Sequence, residues 1–206
     1  MKFDQPAYPT VYFSEKIWVK CPKCSEPALV KTTLPSYTVP IPLRYSSICN
    51  CKSCGFQEQN NEEWYGYYQG FVNLPCKTCG SRISNSTEPT KKPYINSDIT
   101  CEICNSKRTY ELKWYRYRKD KTTHPYFGFD LWIQTTIKNN VLWLYNLDHL
   151  EYLKSYVASK LREDNGRHKY SMITNLPQWI KSSKNREVIV KKLNTLKLEC
   201  LKKNLQ

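Results

Sequence analysis

Apolar and polar positions alternate in short bursts over the first half of the chain and settle into longer, helical spacing only near its end. Residues 1–20 read as extended, with Val11, Phe13, Ile17 and Val19 leading up to a first cysteine pair. Residues 26–48 hold Ala28-Leu29-Val30 among several prolines, which predicts short strands and turns. Residues 62–72 are aromatic-rich and predict a further strand, and the Ser/Thr/Pro/Lys-rich stretch 84–98 predicts a loop. From 107 to 118 the pattern has period two: Tyr110, Leu112 and Trp114 fall on one face, Glu111, Lys113, Tyr115 and Tyr117 on the other. Phe127–Ile137 and Val141–Tyr145 flank Lys138-Asn139-Asn140 and predict a β-hairpin, with Asn139 and Asn140 supplying the positive φ of a tight turn. Both strands are apolar on both faces, so the hairpin is expected to be buried, with Phe127, Trp132 and Trp143 as core.

Helical spacing follows. Asp148 and Glu151 form an Asp-x-x-Glu capping box ahead of a stripe of Leu150, Leu153, Val157 and Leu161, and Asn165-Gly166 is the expected stop. A short helical piece is expected around Pro177-Gln-Trp-Ile. A last helix starts near Asn185, with Ile189, Leu193, Leu196 and Cys200 on one face. The predicted fold class is α+β: two four-cysteine zinc ribbons of short β-strands, then a β-hairpin and two or three α-helices. The expected division is residues 1–60 for the first ribbon, 61–122 for the second with its basic aromatic strand, and 123–206 for the hairpin and helices.

The chemistry lies in the cysteines. Four pairs, Cys21/Cys24, Cys51/Cys54, Cys76/Cys79 and Cys101/Cys104, each have two residues between the partners. That spacing lets both sulfurs face one tetrahedral ion from a tight turn, so four pairs make two closed four-thiolate sites. Gly55 and Gly80 directly follow the second cysteine of their pairs, where a positive φ turns backbone N–H groups toward the sulfurs. Two Zn²⁺ ions are the expected cofactors. Sequential pairing gives each site an intervening segment of 26 or 21 residues, enough for a hairpin. A cross-brace between first and third pairs, and Cys49 in place of Cys51, stay open. Cys200 reads as a core thiol.

Three rivals were weighed. Disulfides suit a secreted scaffold, whereas Met1 to Lys20 has no continuous apolar stretch of a signal peptide, so a cytoplasmic chain is expected. Iron can occupy the same four-thiolate geometry. A nucleobase-deaminase centre could be sought in Pro75-Cys76-Lys-Thr-Cys79 with Cys24 and Glu26, but it leaves five paired cysteines without a role.

Charge adds a partner class. The 206 residues carry 32 Lys+Arg and 18 Asp+Glu, a net +14. Of this, +12 lies in residues 106–206, and seven residues between Lys107 and Lys121 are Lys or Arg. Aromatics interleaved with cations can stack on bases and neutralise phosphates. The candidate nucleic-acid contacts are Lys107, Arg108, Lys113, Arg116, Arg118, Lys119, Lys181, Lys184 and Arg186. A basic solvent face on a half-buried strand explains the same pattern. No run of 18 apolar residues offers a membrane span, and no small-molecule substrate is evident. His124, His149 and His168 sit in no nucleophile or metal motif, so catalysis is not expected and no catalytic residue is assigned.

The cysteine pairs resemble those of the zinc-ribbon superfamily over about residues 18–106. The runs Phe127-Gly-x-Asp-Leu-Trp-x-Gln-Thr, Leu142-Trp-x-Tyr-Asn-Leu-x-His-Leu150 and Leu176-Pro-x-Trp-Ile-Lys-x-x-Lys-Asn-Arg186 are similar to a family of uncharacterised bacterial proteins described as containing a transcription-factor-type zinc ribbon. The resemblance implies the ribbon fold and the metal, and no activity. Two functions follow from the residues: a zinc-braced nucleic-acid-binding protein, or a protein-interaction module acting as an adaptor or as a neutraliser of an acidic partner.

Overall fold

The computed structural model describes residues 2–33, 46–61, 64–118, 121–161 and 171–205. The chain divides into two compact units, one formed by Met1–Glu63 with Thr122–Gln206 and the other by Trp64–Lys121.

In the larger unit, β1 (Lys16–Lys20), β2 (Pro27–Thr33), β3 (Ser46–Asn50) and β4 (Gln57–Asn61) form one antiparallel sheet in chain order. Ile17 and Val19 pair with Val30 and Ala28, and Val30 and Thr32 pair with Cys49 and Ser47. All seven of these side chains are buried, so they define the inner face. Its two polar members satisfy each other through a Thr32–Ser47 hydroxyl pair at 2.9 Å. Residues 1–20 are not uniformly extended: Thr10–Phe13 form a 3₁₀ turn before β1 begins.

The outer edge of β1 is closed by the C-terminal segment. Lys20 N–H donates to Asp130 O, Trp132 N–H to Trp18 O, and Trp18 N–H to Tyr145 O, all within 2.9 Å. The next elements are the hairpin β10 (Ile133–Ile137) and β11 (Asn140–Leu144), then α1 (Leu147–Ala158), α2 (Gln178–Lys181) and α3 (Arg186–Lys202). The helix α3 packs on α1 and β10 through Ile189, Leu193, Leu196 and Cys200. The first cysteine hairpins and these C-terminal elements therefore share one core, in which Val19, Val30, Leu131, Leu144, Leu150 and Leu193 are completely shielded.

Several local expectations are corrected. In the β10–β11 turn the positive φ is at Lys138 (54°); Asn140 already pairs with Ile137, and Asn139 has no positive φ. The hairpin buries one face, Ile133, Ile137, Leu142 and Leu144; Trp132 and Trp143 are only half-buried. Asn146, not Asp148, caps α1: its side-chain oxygen accepts from His149 N–H at 2.9 Å while its amide donates to Phe13 O and Lys16 O. An extended residue with a short polar side chain just ahead of the helix is the better cap, and Asp148 lies inside the first turn. The helix ends at Ala158, and Leu161 is exposed rather than part of the stripe. Asn165 and Gly166 lie outside the described residues.

The smaller unit holds β5 (Tyr67–Pro75), β6 (Arg82–Ser86), β7 (Asn96–Thr100), β8 (Lys107–Glu111) and β9 (Lys113–Tyr117). A three-stranded sheet runs β6-β5-β9, beside a separate β7-β8 hairpin. The expected loop at 84–98 is narrower, because β6 and β7 take its two ends, and Thr90 is tied to Tyr68 by two backbone hydrogen bonds. Val72, Ile83, Ile99, Tyr110 and Leu112 make a small core with Cys76 and Cys101. The indole of Trp114 packs against Gly70 on the strand opposite, where an added Cβ would approach it to 3.1 Å. No helix among the described residues is long and apolar enough to cross a membrane.

Candidate metal centres

Each cysteine pair occupies the loop of a β-hairpin, and the four loops are built alike. In every case the flanking strands close on a six-residue loop that begins with the first cysteine: Lys20↔Pro27, Asn50↔Gln57, Pro75↔Arg82 and Thr100↔Lys107 are the last pairs. The residue after the second cysteine returns its N–H to the carbonyl of the first, at 2.9 to 3.0 Å in all four loops (Ser25, Gly55, Gly80, Asn105). The N–H of the first cysteine then reaches the carbonyl five residues on (Glu26, Phe56, Ser81, Ser106), at 2.7 to 3.0 Å. This closure forces the left-handed region on the residue after the second cysteine. Gly55 (φ 71°) and Gly80 (φ 74°) enter it freely, and Ser25 (62°) and Asn105 (55°) adopt it too.

The loops meet in sequential pairs. Cys21, Cys24, Cys51 and Cys54 form one group; Cys76, Cys79, Cys101 and Cys104 form the other, and within each group all sulfurs lie within 4.8 Å of one another. In the first, β1-β2 and β3-β4 are neighbouring hairpins of one antiparallel meander, which puts both loops at the same end of the sheet. Cys21 and Cys54 sulfurs are 3.6 Å apart, as are those of Cys24 and Cys51. In the second, Cys76 to Cys104 and Cys79 to Cys101 are each 3.8 Å. These distances are far above a disulfide bond of about 2.05 Å. They match the edge of about 3.8 Å of a tetrahedron with metal–sulfur bonds of about 2.3 Å. The donor set therefore fits a structural zinc ion in each group. The cross-brace arrangement is excluded by this grouping. Cys49 is not in either group: it lies on the inner face of β3, beside Val30, and burial pushes its thiol up to about 12.

Hydrogen bonding and burial push the thiols of each group in different directions. A backbone hydrogen bond from Cys79, with another from Thr78, holds Cys76 down at about 5. Burial works to raise Cys51, but hydrogen bonds from Cys54 and Ser53 outweigh it and bring the thiol to about 7. At Cys24 the bond from Glu26 lowers the thiol, yet burial and the neighbouring Cys54, Cys51 and Cys21 lift it to about 12. A divalent ion at the centre of each group would stabilise all four thiolates together.

The two groups differ around the sulfurs. In the second, Ser81 Oγ lies 3.0 Å from Cys79 and 3.2 Å from Cys101, and Ser106 Oγ lies 3.1 Å from Cys104 and 3.6 Å from Cys76. Each hydroxyl sits between two sulfurs, and its single proton could be donated to a thiolate. The matching positions in the first group are Glu26 and Phe56. These serines escaped the sequence reading, although the repeat Cys-x-x-Cys-x-Ser at 76–81 and again at 101–106 was the available signal. Cys79 is exposed, whereas Cys21 and Cys51 are buried and Cys24 and Cys54 half-buried.

A deaminase centre would combine Cys24 with Cys76 and Cys79, but these belong to separate four-sulfur groups. Four protein sulfurs also fill a tetrahedral ion, so neither group has the open position that zinc hydrolysis uses.

The candidate basic residues fall in both units. Lys107 pairs with Asp98 at 3.5 Å, Arg108 donates to Thr78 Oγ1 at 3.4 Å, and Arg118 donates to Lys121 O. Lys113 stands on the exposed face of β9, whereas Arg116 turns its guanidinium over the Trp64 ring at 5.3 Å. In the larger unit Lys181 donates to Thr174 O, Lys184 lies in a 3₁₀ turn, and Arg186 begins α3. Lys119 lies outside the described residues. His149 is a core residue: its Nδ1 accepts from Tyr145 N–H, its ring stacks on Phe13 at 4.8 Å, and burial lowers its pKa to about 3. His124 is likewise buried, accepting from the N–H groups of Tyr126 and Phe127.

These features define a protein with two zinc-ribbon-like four-cysteine centres, one embedded in a mixed α+β unit and one in a small all-β unit. No protein-family model, curated protein or solved structure matches the chain. The likeness to zinc ribbons therefore rests on the hairpin geometry and the sulfur positions.

Proposed function

We propose that the chain is a non-catalytic zinc protein that binds nucleic acid, each of its two ribbons bracing the unit that contains it. Cys21, Cys24, Cys51 and Cys54 would hold one Zn²⁺, and Cys76, Cys79, Cys101 and Cys104 the other. The ions supply cross-linking and charge compensation, with folding energy of about 10–16 kcal/mol per structural site. The observation that supports the metal is the two closed tetrahedra of sulfurs. The partner class follows from charge: with eight thiolates and two Zn²⁺ ions added, the formal net charge falls only from +14 to +10. Such a protein binds through phosphates, with little sequence preference and a strong dependence on salt.

The test is purification without nuclease, followed by elemental analysis and the ratio of absorbance at 260 and 280 nm. Two zinc ions per chain and nucleic acid that salt removes are the expected result. With three to four phosphate contacts on a single strand, affinity should fall about 20- to 50-fold between 50 and 200 mM salt. Two zinc ions on a protein that binds no nucleic acid at low salt would overturn the partner and direct attention to an acidic protein.

A further inference from the structure

The most informative unassigned surface is the outer face of the β6-β5-β9 sheet. Register fixes its membership. Tyr67, Gln69 and Phe71 on β5 lie opposite Tyr117, Tyr115 and Lys113 on β9, and Phe71 and Asn73 lie opposite Ser86 and Ser84 on β6. The alternate residues Gly70, Val72 and Trp114 turn to the other face, where Val72 and Trp114 join the small core. Three rings remain open to solvent: Tyr115 at 57%, Phe71 at 37% and Tyr117 at 36% exposure. Phe71 and Tyr115 meet edge to face at 5.5 Å, so the platform is held in place rather than splayed. Gln69, Asn73 and Ser84 separate the rings and complete a shallow groove of about 550 Å³.

We propose that this face is a binding platform for single-stranded nucleic acid. The inference rests on the nucleic-acid reading above and names where, and in which form, the strand is bound. Three properties select the ligand. First, Tyr115 and Tyr117 lie two residues apart on one strand, so their backbone positions are about 6.8 Å apart and both exposed rings offer planar surfaces on which unpaired bases can stack. Second, the charge is complementary. Lys113 is on the face, Arg82 is at one end holding Asn73 Oδ1 at 2.8 Å, and Lys91 is over the Tyr67 ring at 4.6 Å. None of the strand residues on this face is acidic, and residues 64–121 hold eleven Lys and Arg against five Asp and Glu. Bound zinc leaves that unit at +4. Third, the rings are spaced by Ser, Asn and Gln, whose hydroxyls and amides can hydrogen-bond to phosphates and base edges. In a duplex the base faces are already stacked on each other, so flat rings on an open sheet can engage only unpaired bases.

The experiment uses the full-length, zinc-loaded chain and fluorescence anisotropy with 12-nucleotide oligo(dT), oligo(U) and a 12-base-pair duplex. Single strands should bind more tightly than the duplex. Tyr115→Ala and Phe71→Ala should each weaken single-strand binding about tenfold or more while leaving its salt slope unchanged, because a stacked ring carries no charge. Lys113→Ala should instead reduce the slope by about one phosphate. Tyr115 is the most exposed of the three rings, so its removal leaves the fold intact; two zinc ions and an unchanged melting curve verify that. Wild-type binding that the ring variants do not alter, or a preference for duplex, would overturn the platform while leaving the nucleic-acid reading standing. No binding of wild type to any of the three probes would overturn both.

Discussion

Replacing Gly55 by alanine isolates the backbone term of the cysteine loop. The residue sits at φ 71°, and a Cβ added there meets nothing within 4 Å. Steric conflict with neighbours is therefore absent, and the penalty is that of a left-handed L-residue, about 1–2 kcal/mol. Restricting the unfolded chain offsets about 0.5 kcal/mol of it, which leaves a net loss of about 1 kcal/mol. Gly55→Asn should cost less than Gly55→Ala, because asparagine tolerates this conformation and Asn105 already adopts it at φ 55° in the equivalent position. Loop closure and metal binding are the same event, so the loss should also appear as zinc affinity weakened about fivefold by alanine. Gly80, at φ 74° with the same open surroundings, gives an independent copy of the measurement in the smaller unit. The assay is denaturant unfolding of the zinc-loaded protein, paired with competition against a chromophoric chelator. Alanine within about 0.3 kcal/mol of wild type, or asparagine worse than alanine, would refute the account of why the loop closes.

Cys51→Ser should lower bound zinc from two to one per chain. Cys49→Ser should keep both ions and lose about 1–3 kcal/mol by burying a hydroxyl on the inner face of β3; equal zinc loss in both variants would reinstate Cys49 as a ligand. Asn146→Ala removes the α1 cap and two donated hydrogen bonds, for a loss of about 2–3 kcal/mol, whereas Asp148→Ala should cost about 0.5 kcal/mol. Comparable costs in thermal unfolding would return the cap to Asp148. Burial lowers the folded-state pKa of His149 from 6.5 to about 3, so its stabilising effect is complete above pH 6.5 and is lost as pH falls toward 3. Wild type should lose about 1 kcal/mol between pH 6.5 and 5.5 that His149→Asn does not, with zinc content followed in parallel; identical pH profiles for the two proteins would count against a neutral buried imidazole.

The cysteine centres were legible because their chemistry is local. Two residues between thiols specify a tight loop, and the order of pairs along the chain specifies the grouping once each hairpin is neighbour to the next. The buried faces of α3 and of the 107–118 stretch were equally legible, since period carries directly into burial: Ile189, Leu193, Leu196 and Cys200 face the core, as do Tyr110 and Leu112, although that stretch forms two strands, β8 and β9, with different partners rather than one. What local pattern could not carry was competition between neighbouring residues for one role. Asn146 and Asp148 both suit a cap, and the choice depends on carbonyls of Phe13 and Lys16, about 130 residues away in sequence. Cys49 and Cys51 both suit a ligand, and strand register decides between them. The joining of the first ribbon to the C-terminal helices in one core is also non-local. It depends on the edge of β1 accepting the segment at 130–132, for which neither stretch has a signature.

The four loops share one backbone, but their surroundings assign the metal different weights. In the larger unit the first centre adjoins a core that also contains β10, β11 and three helices, so the ion is one contributor among many. In the smaller unit seven of the described residues make the buried cluster, and two of them, Cys76 and Cys101, belong to the four-cysteine group that could hold the metal. Five apolar side chains contribute about 7–15 kcal/mol by burial, comparable to the binding energy of a single structural zinc. There a bound ion would act as a core residue, and the serines at 81 and 106, which lie between sulfurs of both hairpins, would extend that core in polar form. A metal-centred core frees the sheet from having to bury both faces. On the reading proposed above, a zinc ion would supply the cohesion that Phe71, Tyr115 and Tyr117 would otherwise have to provide, which accounts for a unit of this size leaving those rings in solvent.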